Sequence, residues 1–186
     1  MSSTALGDLV ERLRAASGQF VSHVGEGHGG VGASILPVLR DPGKATNLTG
    51  VLSTDNPDPI SKRQRERMAE VGSSAADLCP WNVYPWAHDS EVDGDLSVEQ
   101  IARGAVVSRE AIGLMHNLRG LLLQGEQARW GWAMVTAFAP DVREHGFEVV
   151  ATCRPPGTRH KTTAVTAANK SEQLDDWAKA VVVAPR

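Results

Sequence analysis

Two cysteines in 186 residues, Cys79 and Cys153, are too few for a disulfide framework, and no Cys-x-x-Cys pair is present. The same shortage excludes an iron–sulfur cluster held by about four thiolates. No apolar run approaches the ~20 residues of a membrane span. Residues 1–4 lack the basic segment and following apolar segment of a secretory leader, so a cytoplasmic chain is expected. An excess of one charge is missing too. The formal net charge of −3 neither requires nor forbids a nucleic-acid partner, although dedicated DNA binders of this size are more often basic. Neither a phosphate loop nor a dinucleotide fingerprint is found. Gly25-Glu26-Gly27-His28-Gly29-Gly30 precedes the first strand candidate, whereas the fingerprint follows a strand. No serine sits in a nucleophile-elbow context, and no internal repeat appears.

What is there reads as a globular chain. With 41% hydrophobic and 22% charged residues, one domain over 1–186 with a substantial core is expected. Residues 6–16 carry Leu6, Leu9, Val10 and Leu13 at helical spacing. Five glycines in 25–32 preclude regular structure there. Short apolar runs predict strands over 33–39, 78–84, 119–124 and 147–153, with Pro37 awkward in the first. Helices are predicted over 59–71, with Pro59 in its first turn and Gly72 past its end, and over 96–118, behind a Ser97 cap. Gly104 and Gly113 would bend or divide the second. Further helices are predicted over 126–138 and 171–182, the latter capped by Ser171, while 43–59 reads as a long loop. Four strands alternating with helices make an α/β fold, a parallel sheet covered on both faces, with ligand-bearing loops at the carboxyl ends of its strands.

Three polar turns stand at the ends of apolar runs: Asp41-Pro42-Gly43, Asp55-Asn56-Pro57-Asp58-Pro59, and Asn82 within Trp81-Asn82-Val83-Tyr84-Pro85-Trp86. A carboxylate can orient water and an amide can read a base edge, together the minimum kit for excising a nucleobase. By themselves Asp-Pro-Gly is a favoured turn, and Trp81, Tyr84 and Trp86 are core anchors by default.

In this order, and following Gly29-Gly30-Val31, these words resemble the compact actinobacterial-type branch of the uracil-DNA glycosylase superfamily. The likeness runs over most of the chain after residue 29, with a weaker echo at Leu121 to Ala128 and at Val149 to Pro155. It implies a helical and glycine-rich lead-in over 1–28 and a core over 29–186. The implied fold is three-layer α/β/α, its four parallel strands ordered 2-1-3-4. It also implies hydrolysis of the N-glycosidic bond of uracil or a related damaged base in DNA. By the resemblance Asp41 would orient water and stabilise the sugar cation, beside Pro42 and Gly43, and Asn82 would pair with the flipped base. The sequence departs from the family twice. Leu52 stands near the place of a stacking aromatic, where stacking is worth roughly 1–3 kcal/mol per base. Arg154 stands in place of a histidine that stabilises the departing anion, and arginine is longer and permanently charged.

Two basic stretches remain. Lys62-Arg63-Gln64-Arg65-Glu66-Arg67 reads as a solvated helix face. The stretch 154–161 reads as a loop, in which Arg159, His160 and Lys161 would meet backbone phosphates. His23, Glu26 and His28 offer three potential metal ligands with no closing fourth, so neither metal nor cofactor is expected. The expected partner is DNA, bound by a monomer with no membrane. One alternative is a superfamily member that holds a nucleobase or nucleic acid without turnover. A weaker one is an enzyme acting on a free nucleotide or nucleoside.

Overall fold

The computed structural model describes residues 4–88, 92–152 and 163–183. The expected roles of Arg154, Arg159, His160 and Lys161 fall outside the described residues. In chain order the helices are α1 (Thr4–Ser17), α2 (Lys44–Thr49), α3 (Pro59–Val71), α4 (Val98–Gly113), α5 (Glu126–Phe138) and α6 (Thr163–Val183). The strands are β1 (His23–Val24), β2 (Ile35–Leu39), β3 (Val51–Leu52), β4 (Trp81–Asn82), β5 (Gly120–Gln124) and β6 (Glu148–Thr152).

Four strands form a parallel sheet in the order β4-β2-β5-β6. Counted along the chain, these four stand 2-1-3-4. Such a sheet survives only when both faces are covered, and alternate strand residues divide the work. Ile35, Leu122 and Val150 pack against Met68 of α3 and Trp177 and Ala180 of α6. Leu36, Val38, Leu121 and Leu123 pack on the other face with Leu9 of α1, Ile101 and Ile112 of α4, and Val135 of α5. Helices therefore cover both sides of the sheet. Among the described residues no helix is long and apolar enough to cross a membrane.

The structure differs from expectation at several elements. The strand expected over 78–84 is laddered only at Trp81–Asn82, beyond an isolated bridge between Ile35 and Leu78. Register sets Pro80 opposite Pro37 in the interval, and the ladder is broken there because Pro37 has no N–H to give the Cys79 carbonyl. The loop expected over 43–59 contains α2 and β3, and β3 pairs with β1 to make a second, two-stranded parallel sheet. Buried Asn56 organises this segment, its amide donating to the Val51 carbonyl at 2.8 Å and to Thr46 Oγ1 at 3.2 Å. The glycine-rich lead-in includes a 3₁₀ turn at Gly30–Gly32. Helix α4 is continuous through Gly104 and stops at Gly113, short of 118. Helix α6 begins at Thr163, so Ser171 lies inside it and is no cap. Alanines ahead of Ser171 favour helix strongly enough to carry it through. Nor is 62–67 a uniformly solvated face, because Gln64 and Arg67 are both buried.

Candidate functional site

A cavity of about 770 Å³ opens at the carboxyl ends of β2, β4 and β5, beneath the N-terminal turns of α3 and α5. Asp41, Pro42, Gly43, Leu52 and Asn82 all line it. Two residues past β2, the Asp41 side chain is 7% exposed. The last residue of β4, Asn82, is 2% exposed, and its Oδ1 has no hydrogen-bond partner. A buried polar atom left so costs about 1–3 kcal/mol, which a ligand hydrogen bond would recover. Pairing of β1 with β3 sets Leu52 at one side of the cavity.

Asn82 owes its place to packing behind it. The following residue, Val83, is wedged between glycines of two helices. A methyl group at Gly104 of α4 would lie 1.8 Å from the Val83 carbonyl oxygen, and one at Gly131 of α5 would lie 2.7 Å from Val83 Cγ1. Only glycine allows both helices to close on this strand end. Trp81, Tyr84 and Trp86 are buried in the core cluster on that side.

The carboxylate of Asp41 does not stand alone. Arg40 donates from Nε to Asp41 Oδ1, and its Nη1 lies 3.4 Å from Asp95 Oδ1. Three basic side chains (Arg40, Lys44, Arg63) and four acidic ones (Asp41, Asp58, Asp95, Glu126) line the cavity. That balance suits a neutral ligand better than a polyanion in the cavity itself. Asp58 is occupied as the α3 cap, accepting from Ile60 N at 2.8 Å and Ser61 N at 3.0 Å.

Several lining residues were not singled out from the sequence. Gln124 ends β5 at 2% exposure; its Oε1 accepts from Gln64 Nε2 at 3.3 Å, while its own Nε2 has no partner. Gln127 Oε1 is another buried atom without a partner. The buried His88 donates from Nε2 to the Gly94 carbonyl at 3.1 Å, with Nδ1 3.7 Å from Asp93. Gly125, whose φ of +99° suits glycine, turns the chain from β5 into α5. The signal that pointed to Asp41 and Asn82, a polar residue just after an apolar run, is present at Gln124 as well.

His28 has both ring nitrogens occupied. Nδ1 donates to the Ala75 carbonyl at 3.2 Å and Nε2 accepts from the Thr54 amide at 3.1 Å. Burial lowers its pKa from the ordinary 6.5, and this neutral imidazole ties the glycine-rich lead-in to the cavity wall at 53–59. His23 bonds Glu11 at 2.9 Å instead, well away from His28 in bonding terms. No group of three or more metal-ligating side chains occurs among the described residues. A scan against protein-family models matches none, and no curated protein matches the chain.

Proposed function

We propose that this chain is a uracil-DNA glycosylase-like protein that hydrolyses the N-glycosidic bond of a base flipped out of DNA. One observation carries the reading. Asp41, just past β2, and Asn82, at the end of the adjacent parallel strand β4, line a single cavity, and the buried Asn82 has an unpartnered Oδ1. The base would enter the cavity and hydrogen-bond Asn82. Breaking the bond between the sugar's anomeric carbon and the base leaves its electron pair on the base and positive charge on the sugar. Asp41, paired with Arg40, would offset that charge and orient the attacking water, whose proton passes to the carboxylate. Arg154 would stabilise the departing anion, and Arg159, His160 and Lys161 would hold the phosphates.

A second reading has its own observation. Because Arg40 donates to Asp41, the carboxylate's charge is partly offset before any substrate arrives, which suits a pocket that binds without turnover. Labelled single- and double-stranded DNA containing uracil, followed by alkaline cleavage at abasic sites, separates the two. Release of base that falls at least ~10²-fold in Asp41→Asn, with DNA binding kept, is the expected result. Binding without release supports the second reading. Neither release nor binding would refute both.

A further inference from the structure

Gln124 occupies a place in the cavity symmetrical to that of Asn82. Leu39 of the central strand is in register with Asn82 on one side, and Val38 is in register with Leu123 on the other. Gln124, one residue on, therefore stands level with Leu39. The Cα atoms of Asn82 and Gln124 are two strand spacings apart, about 10 Å. Leu122, two residues before Gln124, packs on the α3 and α6 face, so Gln124 points to that same face, where Gln64 of α3 meets it. Gln64 holds the Gln124 carbonyl oxygen and leaves the Gln124 Nε2 buried and without a partner in a residue that lines the cavity. Two buried amides thus flank the space above Leu39, one with a free acceptor and one with free donors.

We infer that Gln124 is a specificity-determining residue that reads the far edge of a bound base, and that the site favours a 6-oxopurine over uracil. The inference rests on the glycosylase-like reading of this cavity for its substrate class. Uracil has its polar groups on the edge that Asn82 would read, and offers only C–H groups on the opposite edge. Bound alone, it would leave the Gln124 donors buried against carbon. A 6-oxopurine such as hypoxanthine presents O6 and N1–H to Asn82 and its N7 acceptor on the other side. One added hydrogen bond to a buried, otherwise unpaired donor is worth about tenfold in affinity or rate. A cavity of about 770 Å³, with Leu52 at its side, has room for the second ring. Gln64 acts through Gln124, as a positioning residue.

The test compares the full-length wild type with Gln124→Leu and Gln64→Leu, after thermal melts establish that each variant folds. Two readouts run side by side: base release from duplexes carrying one deoxyuridine or one deoxyinosine, and binding of free uracil and free hypoxanthine followed by ligand-observed NMR. The expected result is a hypoxanthine preference of about tenfold or more that Gln124→Leu abolishes without weakening uracil. Gln64→Leu should reduce the same ratio, and Gln64→Glu, which keeps the length but removes the donor, should not restore it. Hypoxanthine binding that depends on Gln124 without release of either base would sustain this inference and refute the catalytic reading. Release of uracil with a ratio indifferent to Gln124 would overturn the inference and leave the catalytic reading standing. If neither base binds nor is released, both are overturned.

Discussion

Replacing Gly104 with alanine tests how Asn82 is held. The added methyl would sit 1.8 Å from the Val83 carbonyl oxygen and 2.8 Å from its carbon. To restore van der Waals separation, α4 must retreat by about 1.5 Å, and Ile101, Ala105 and Ile112, all buried on the same helix, retreat with it. Overpacking of this kind costs roughly 1–3 kcal/mol, here toward the upper end because a strand carbonyl cannot rotate aside. Alanine's better helix propensity returns about 1 kcal/mol. A net loss of about 2 kcal/mol lowers the melting temperature by roughly 4–8 °C in a chain of this size. Gly113→Ala is the matched control, because nothing lies within 4 Å of its added methyl, and a gain of up to about 1 kcal/mol is expected there. Calorimetric melts of both variants decide the matter. If Gly104→Ala proves as stable as wild type, the close approach of α4 to Val83 is not what positions the strand end.

Two further expectations concern titratable groups. Burial lowers the pKa of His28 below the ordinary 6.5, so on acidification the unfolded chain takes up this proton before the folded one does. Stability from this group is complete above pH 6.5 and declines as pH falls toward the folded-state pKa; urea midpoints between pH 7 and pH 5 should show the fall, and His28→Gln should flatten it. A slope unchanged in that variant would remove His28 as its source. Burial also pushes the Cys79 thiol up to about 12, so native protein at pH 8 should leave Cys79 unlabelled by a thiol reagent that modifies it rapidly in denaturant. Peptide mapping reads the outcome, and prompt native labelling of Cys79 would contradict its burial.

Much of the sheet was legible because its strands are short apolar runs between turn residues. β2, β5 and β6 fall within the expected segments. Asp41 and Asn82 were legible as polar residues ending such runs. Gln124 satisfies the same criterion, but an amide after Leu121-Leu122-Leu123 also fits an ordinary strand end. The segment 43–59 was illegible for a physical reason. Its order comes from Asn56 and from the Thr54–His28 contact, hydrogen bonds between residues far apart in sequence or lacking any apolar period. The start of α6 was missed because Ser171 carries the chemistry of a cap inside a helix that alanines had already begun.

Pro37 and Pro80, facing each other across the interrupted ladder, bear on how the edge strand finds its alignment during folding. A slip of one residue would turn the edge strand over, and with it the side chains that face the core. It would also set Leu78, Pro80 and Asn82 toward β2 in place of Cys79, Trp81 and Val83. In the native alignment the Ile35 and Leu39 carbonyls accept from Cys79 N at 2.9 Å and Val83 N at 2.8 Å, whereas after the slip Pro80 would stand where a donor is needed and has no proton to give. The slipped pairing would forfeit a bond in a short ladder that has few to lose. Pro80 thus weighs against the alignment that would turn Asn82 away from the cavity.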